Sequence, residues 1–413
     1  MRRTIRDMPY RRRHEGLSAG EIFVLKQILR FIPELIELSS NLPECPLRNF
    51  CQLLIYALFV IFLAQLIIEG QEIVPVNHNN KNRLISSFTE EECWHFVRFR
   101  KPELRGLFIR CDFPDMVTCP NGVVCPGEHA FCLMLYRIAY PSRLLSLQDT
   151  FGRDYSQLSR IFKFAVDYMY EKHKDKVHGN VGWYRNRFDI YHRAVMKKII
   201  DSPRNPNMGF IPEEVVDVFA FLDGTGLEIA RPANGAQNPF WSGYLHGHYL
   251  IFQGISFPDG MVVIEGAFPG YQPDTMVWRD SNMRLELEQI MVDRAAEGRP
   301  RYKVYADKIY RNSVLVKAAY NLRNNPDGLQ PWQESTNRMM SDIRVSVEWS
   351  FGKIIGRNKF VGFGKTMKLQ NSPVNKYYHI AVLIANAHTC MYGCLQTSYF
   401  GIQPPTLKQY FDQ

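Results

Sequence analysis

Residues 218–223 read VFAFLD, and residues 248–268 read HYLIFQGISFPDGMVVIEGAF. The first is a short apolar run, Val218–Leu222, that stops at an acid, Asp223. The second holds two β-branched and aromatic runs, His248–Phe257 and Met261–Phe268, on either side of Pro258-Asp259-Gly260. Proline presets the turn dihedral and glycine supplies the left-handed residue, so this segment predicts a strand followed by a β-hairpin. Beyond the hairpin, Thr275–Met291 has helical composition and Tyr302–Ala306 is a further strand ending at Asp307. A long final helix is expected at about Ser335–Ile355, carrying Glu348. Strand, hairpin, helix, strand and helices make a mixed α/β fold, with a mixed sheet flanked by helices.

Upstream, residues 88–200 read as mainly helical. Within them, 143–173 (RLLSLQDTFGRDYSQLSRIFKFAVDYMYEKH) place Ser146 and Asp149 to cap one short helix, break at Gly152, and let Asp154 and Gln157 cap a second. Leu158, Ile161, Phe162 and Ala165 share one face of that second helix. Two helices about a glycine turn form a helix-turn-helix candidate, with Arg153, Gln157, Arg160 and Lys163 available for DNA. An ordinary helical hairpin with a solvated polar face is the competing reading.

The chain has 413 residues, 46% hydrophobic and 22% charged, with Lys+Arg 50 against Asp+Glu 41. That composition excludes a disordered or collagen-like chain, and the net charge of +9 favours a polyanionic partner. Nine cysteines fit a reducing compartment better than a disulfide scaffold. Cys119 and Cys125, with Cys111 and Cys132 nearby, and Cys390 and Cys394 beside His388, lack the C-x₂-C spacing of structural zinc, so buried thiols are expected. There is no G-x-x-x-x-G-K-[ST] phosphate loop.

The organisation read from these signals starts with a basic arm and helix at 1–47, whose MRRTIRDMPYRRR suits a nuclear-import signal, a DNA-contacting arm or a solvated tail. An apolar helix follows at 48–70. Its core, 50–68, runs FCQLLIYALFVIFLAQLII without a charge, which is just long enough to span a bilayer. A helix buried in protein is the preferred reading, and a membrane span the alternative. Then come the helical region at 82–205, the sheet-bearing domain at 210–385 and a C-terminal tail at 386–413.

Asp223, Asp274 and Asp307 lie at or just beyond strand ends, and Glu348 lies on a helix four residues after Arg344, on the same face. Side chains leaving strand ends converge at one sheet edge. Carboxylates gathered there repel one another unless a divalent cation neutralises them, and hard oxygen ligands favour Mg²⁺ or Mn²⁺. Such ions activate water and stabilise the leaving oxygen in phosphodiester cleavage. Arg344 would orient Glu348 or a phosphate. Downstream, Lys353, Arg357, Lys359, Lys365, Lys368 and Lys376 occur with no intervening acid and with Phe360 and Phe363 interleaved, a pattern suited to a DNA backbone.

Five segments in order carry a resemblance: FLDGT at 221–225, FWSGYLHGHYLIFQGI at 240–255, GAFPGYQPDT at 266–275, KVYAD at 303–307 and RVSVEWSFGKIIGRNK at 344–359. Over about residues 125–390 the chain resembles transposase-derived nucleases of the PIF/Harbinger group, within the DDE endonuclease superfamily. The resemblance implies an RNase H-like core and a divalent-metal site for DNA phosphodiester chemistry, in a nuclear protein. It makes Asp223, Asp274, Asp307 and Glu348 the metal candidates, with Asp223, Asp307 and Glu348 as the catalytic three. It also implies double-stranded DNA as substrate and a Myb/SANT-like DNA-binding partner protein; a homo-oligomer is left open. The chain departs from the family where Ala306-Asp307-Lys308-Ile309-Tyr310 replaces a Gly-Asp-Ser-Gly-Tyr type turn. It departs again where Leu245 and His246 stand in place of basic residues. A catalytically decayed DNA-binding adaptor is therefore the alternative function, and a membrane-anchored protein the third.

Overall fold

The computed structural model describes residues 82–412, apart from 121, 206–210, 234–236, 323–326 and 370. The arginine-rich start and the apolar segment 50–68 lie outside the described residues. Helix α1 (Lys101–Arg110) opens with a proline in its first turn, where the missing N–H costs nothing. Strands β1 (Met116–Thr118) and β2 (Val124–Pro126) pair antiparallel, a small hairpin inside a region expected to be helical. Helix α2 (Gly127–Ala139) is nearly all buried, which suits its mainly apolar sequence.

The segment 144–151 forms a short helical turn, and Gly152 then adopts φ 64°, the left-handed conformation its lack of a Cβ permits. Helix α3 (Tyr155–His173) starts where expected: the Asp154 carboxylate accepts from the Ser156 N–H at 2.8 Å. Leu158, Ile161, Phe162, Ala165, Val166 and Met169 form its buried face.

Helix α4 (Phe188–Ile200) packs on strand β3 (Val218–Glu228), whose residues 218–222 are wholly buried. Strand β3 continues through Asp223 and the glycines that follow, beyond the run that predicted it. A short β4 (Trp241–Ser242) pairs with the start of β5 (Gly247–Ser256), and β5 lies between β3 and β6 (Val262–Pro269), antiparallel to both. On the other side of β3, strands β7 (Lys303–Ala306) and β8 (Val316–Ala318) are added in parallel. An antiparallel meander extended by parallel strands, with helices packed on it, is an RNase H-like arrangement.

The hairpin turn falls where the sequence predicts it, with Gly260 at φ +82°, but it is buried. Asp259 is fully enclosed and accepts from Arg187 Nε at 3.0 Å and the Tyr191 hydroxyl at 2.7 Å, so the turn is docked onto α4. The expected helix at Thr275–Met291 is two helices, α5 (Asp274–Asp280) and α6 (Asn282–Ala296). Ser281 divides them by leaving the helical conformation and capping α6 through the Arg284 N–H.

Helix α7 (Pro331–Arg357) packs against β3 and β5, and α8 (Val374–Tyr392) against α3, α7 and β6. Helices α9 (Leu395–Phe400) and α10 (Leu407–Phe411) bury Phe400, Tyr410 and Phe411. One hydrophobic cluster runs from Ile85 to Phe411, so the helical region, the sheet and the last helices share a core. The cysteines at 93, 111, 119, 125 and 132 are buried and unpaired. Among the described residues, no helix is long and apolar enough to cross a membrane.

Candidate active site

Parallel pairing sets Phe221 of β3 beside Tyr305 of β7. Asp223 and Asp307 each lie two residues further on, so the two acids leave adjacent strands side by side. Asp274, the first residue of α5, comes against them from the other direction. Its carboxylate lies where a Cβ on Gly224 would be, within 2.3–2.6 Å of that position. Glycine after Asp223 is what admits it. These three acids line one cavity of about 700 Å³, together with Thr225, Tyr244, Leu245, Ile309 and Arg311.

Arg344 reaches the cluster from α7. Its Nη1 is 3.1 Å from Asp223 Oδ2, and its Nη2 is 3.8 Å from Glu348 Oε1. Glu348 is 61% exposed and joins the cluster only through this guanidinium. The i, i+4 relation of Arg344 and Glu348 read from the sequence is therefore realised, and the arginine bridges to Asp223 as well.

Burial pushes the Asp274 carboxyl up to about 6, and the negative charges of Asp223 and Asp307 add to the shift. Burial also raises Asp223, against the opposing charge of Arg344. Among the described residues Asp274 has no cationic or hydrogen-bonding partner, which leaves its repulsion uncompensated within the chain. The donor set, three hard carboxylates in surplus negative charge, fits a hard divalent cation in kind. In the present arrangement, no group of three or more His, Cys, Asp or Glu among the described residues is close enough to hold one.

Two supporting residues escaped the sequence reading. Gln253, fully buried on β5, donates from Nε2 to the Asp223 carbonyl at 2.7 Å and accepts from the Tyr310 hydroxyl at 3.2 Å. The Tyr310 N–H donates to the Asp307 carbonyl. This chain fixes the backbone of both acids from beneath. A buried glutamine in a strand of otherwise apolar inward residues was the available signal. Ser256 and Ser350, 2.6 Å apart, and Gln396, which donates to Ser350 Oγ and the Ser346 carbonyl, register α7 on β5.

Residues 222–386 match the family described as DDE superfamily endonuclease. These residues form a transposase-derived DDE domain. No curated protein and no solved structure matches the chain. The matched segment contains Asp223, Asp274, Asp307, Arg344 and Glu348, and extends to the middle of α8.

Outside the cavity, the residues expected to meet DNA separate into two sets. Arg160 and Lys163 on α3 and Lys359 after α7 are exposed, and Gln157 is half-buried. Arg153 is 6% exposed and donates to Asn82, Gln157 and the Val124 carbonyl. Lys353 donates to the Gly260 carbonyl and Thr389, and Arg357 bonds His388 Nε2 at 2.6 Å. Lys376 pairs with Asp167 and Glu171 of α3. Those cationic groups are committed to internal contacts, so the basic stretch after Glu348 is in part an interior seam.

Proposed function

We propose that the DDE domain is a divalent-metal-dependent DNA endonuclease of the PIF/Harbinger type, with Asp223, Asp307 and Glu348 as catalytic carboxylates and Asp274 in support. The observation that carries this reading is the convergence of Asp223, Asp274 and Asp307 on one cavity, with Asp274 raised to about 6 and lacking a cation. Mg²⁺ or Mn²⁺ would be held by these aspartates with Glu348, and would supply Lewis-acid charge for phosphodiester cleavage. The residues of the chain would do the rest. Gln253 and Tyr310 hold the aspartate backbones in place, and Arg344 orients Glu348 and screens a phosphate. A nuclear location follows from a DNA substrate.

A second reading, a DNA-binding adaptor without catalysis, is favoured by one feature: Arg344 already occupies Asp223 and Glu348 as their ion-pair partner. The deciding experiment is Mg²⁺- or Mn²⁺-dependent nicking of terminal-repeat DNA. The wild type should nick, while Asp223→Asn and Glu348→Ala should lose activity at least a hundredfold and keep DNA binding. Equal cleavage by all three would sink the carboxylate assignment, and salt-sensitive binding with no cleavage under either ion would select the adaptor.

A further inference from the structure

The DDE cavity does not end at the carboxylates. A second cavity of about 750 Å³ adjoins it, lined by Trp278, Arg279, Arg284 and Val314 among others, and the two share Pro273, Ile309, Tyr310 and Arg311 as a common wall. That wall belongs largely to the loop between β7 and β8. The loop is held firmly: Tyr310 is buried against Gln253, the Asn312 carboxamide accepts from the Ala318 N–H, and Asn321 donates to the Lys308 carbonyl. Yet the side chains at 308, 309, 311 and 314 are exposed, Ile309 at 55% and Val314 at 68%.

Its cations differ from their neighbours. Arg279 is paired with Asp280 and Arg284 with Glu288. Lys308 and Arg311 have no acidic partner among the described residues. A preorganised loop that alternates free cations with exposed apolar side chains, and starts at a DDE acid, suits a polymer of alternating phosphates and apolar sugar and base faces. A small free anion would leave the apolar positions without a role.

We propose that the β7–β8 loop is the track for the DNA strand being cleaved, with Lys308 and Arg311 gripping the phosphates that flank the scissile one and leading the strand into the second cavity. The inference rests on the endonuclease reading above. It assigns substrate contact to two residues that neither the helix-turn-helix segment nor the basic stretch after Glu348 includes.

The test uses the full chain and a short fluorescein-labelled duplex, with Ca²⁺ replacing Mg²⁺ so that binding is followed by anisotropy across a salt series. The Lys308→Ala/Arg311→Ala variant should lower the slope of log K against log salt by about 1–2, since each duplex phosphate contact contributes roughly 0.9. Arg311→Lys should restore part of that slope, and in Mg²⁺ the double variant should raise KM several-fold more than it lowers kcat. A double variant that binds and cleaves as the wild type does overturns the track and leaves the endonuclease reading standing. A slope lost instead through Arg160→Ala/Lys163→Ala also overturns it. Slope loss in a protein that never cleaves removes the endonuclease and with it the cleavage track, leaving Lys308 and Arg311 as DNA contacts alone, while a wild type that binds no DNA removes those as well.

Discussion

Asp274 sits against the Cα of Gly224 with Asp223 and Asp307 facing it, and its ordinary carboxyl value of 3.8 is raised to about 6. Between those two values the folded chain holds a proton that the unfolded chain has released. Stability from this group is therefore complete below pH 3.8 and is lost as pH rises through 6. Asp274→Asn removes the charge at nearly constant shape. It should stabilise the cation-free protein at pH 7.5 by on the order of 1–3 kcal/mol, and change little at pH 4. Denaturant titration at the two pH values measures this, and an equal gain at both would refute it. Saturating Mg²⁺ should narrow the gap at pH 7.5, because a bound cation stabilises the wild-type native state alone. Such a strained acid is a cost that stability selection by itself does not retain.

At the level of elements, the site depends on how closely α5 approaches β3. Gly224→Ala places a methyl group where the Asp274 carboxylate now lies, and the short aspartate cannot swing clear without leaving the cavity. The expected outcome is a folded protein with a melting temperature within a few degrees of wild type, whose nicking falls at least tenfold. Its stability difference between pH 4 and 7.5 should also shrink, because Asp274 regains solvent. Unchanged activity would show that the contact is incidental. This approach was not legible in the sequence, since the apolar run stops at Asp223, whereas Gly224 pairs with Gln253 in an unbroken strand. The hairpin was legible because Pro258-Asp259-Gly260 encodes its own turn, as was the α3 start, because Asp154 acts on its immediate neighbours. The division of α5 from α6 at Ser281 was missed, as the apolar pattern runs across it. For the acids, strand-end position was readable from pattern, whereas the Arg344 bridge to Asp223 crosses 121 residues and is fixed only by packing α7 on β3.

Across the whole molecule, part of the cation run read as DNA-facing is turned inward for a related reason: charge in sequence gives no sign of which neighbours will bury it. Lys353 and Arg357 turn toward Thr389 and His388 because α7 and α8 pack along one another. The residues after the matched segment extend the same seam. The Asn386 amide contacts the Tyr410 hydroxyl, Lys176 donates to the Phe411 carbonyl, and Arg110 pairs with Asp412. What reads as a C-terminal tail at 386–413 thus closes the core over α1 and α8. Each buried aromatic lost there costs about 3–5 kcal/mol, so Phe400, Tyr410 and Phe411 together, at about 9–15 kcal/mol, are comparable to the whole ~5–15 kcal/mol margin of a typical domain. Truncation after Tyr392 should therefore abolish the cooperative thermal transition and the nicking together. Tyr410→Phe, which loses only a hydrogen bond, should cost about 1 kcal/mol and leave both intact. Differential scanning calorimetry on the two variants separates these outcomes. A truncated chain that melts like the wild type would mean that the DDE core carries its own stability, and that the last helices merely rest on it.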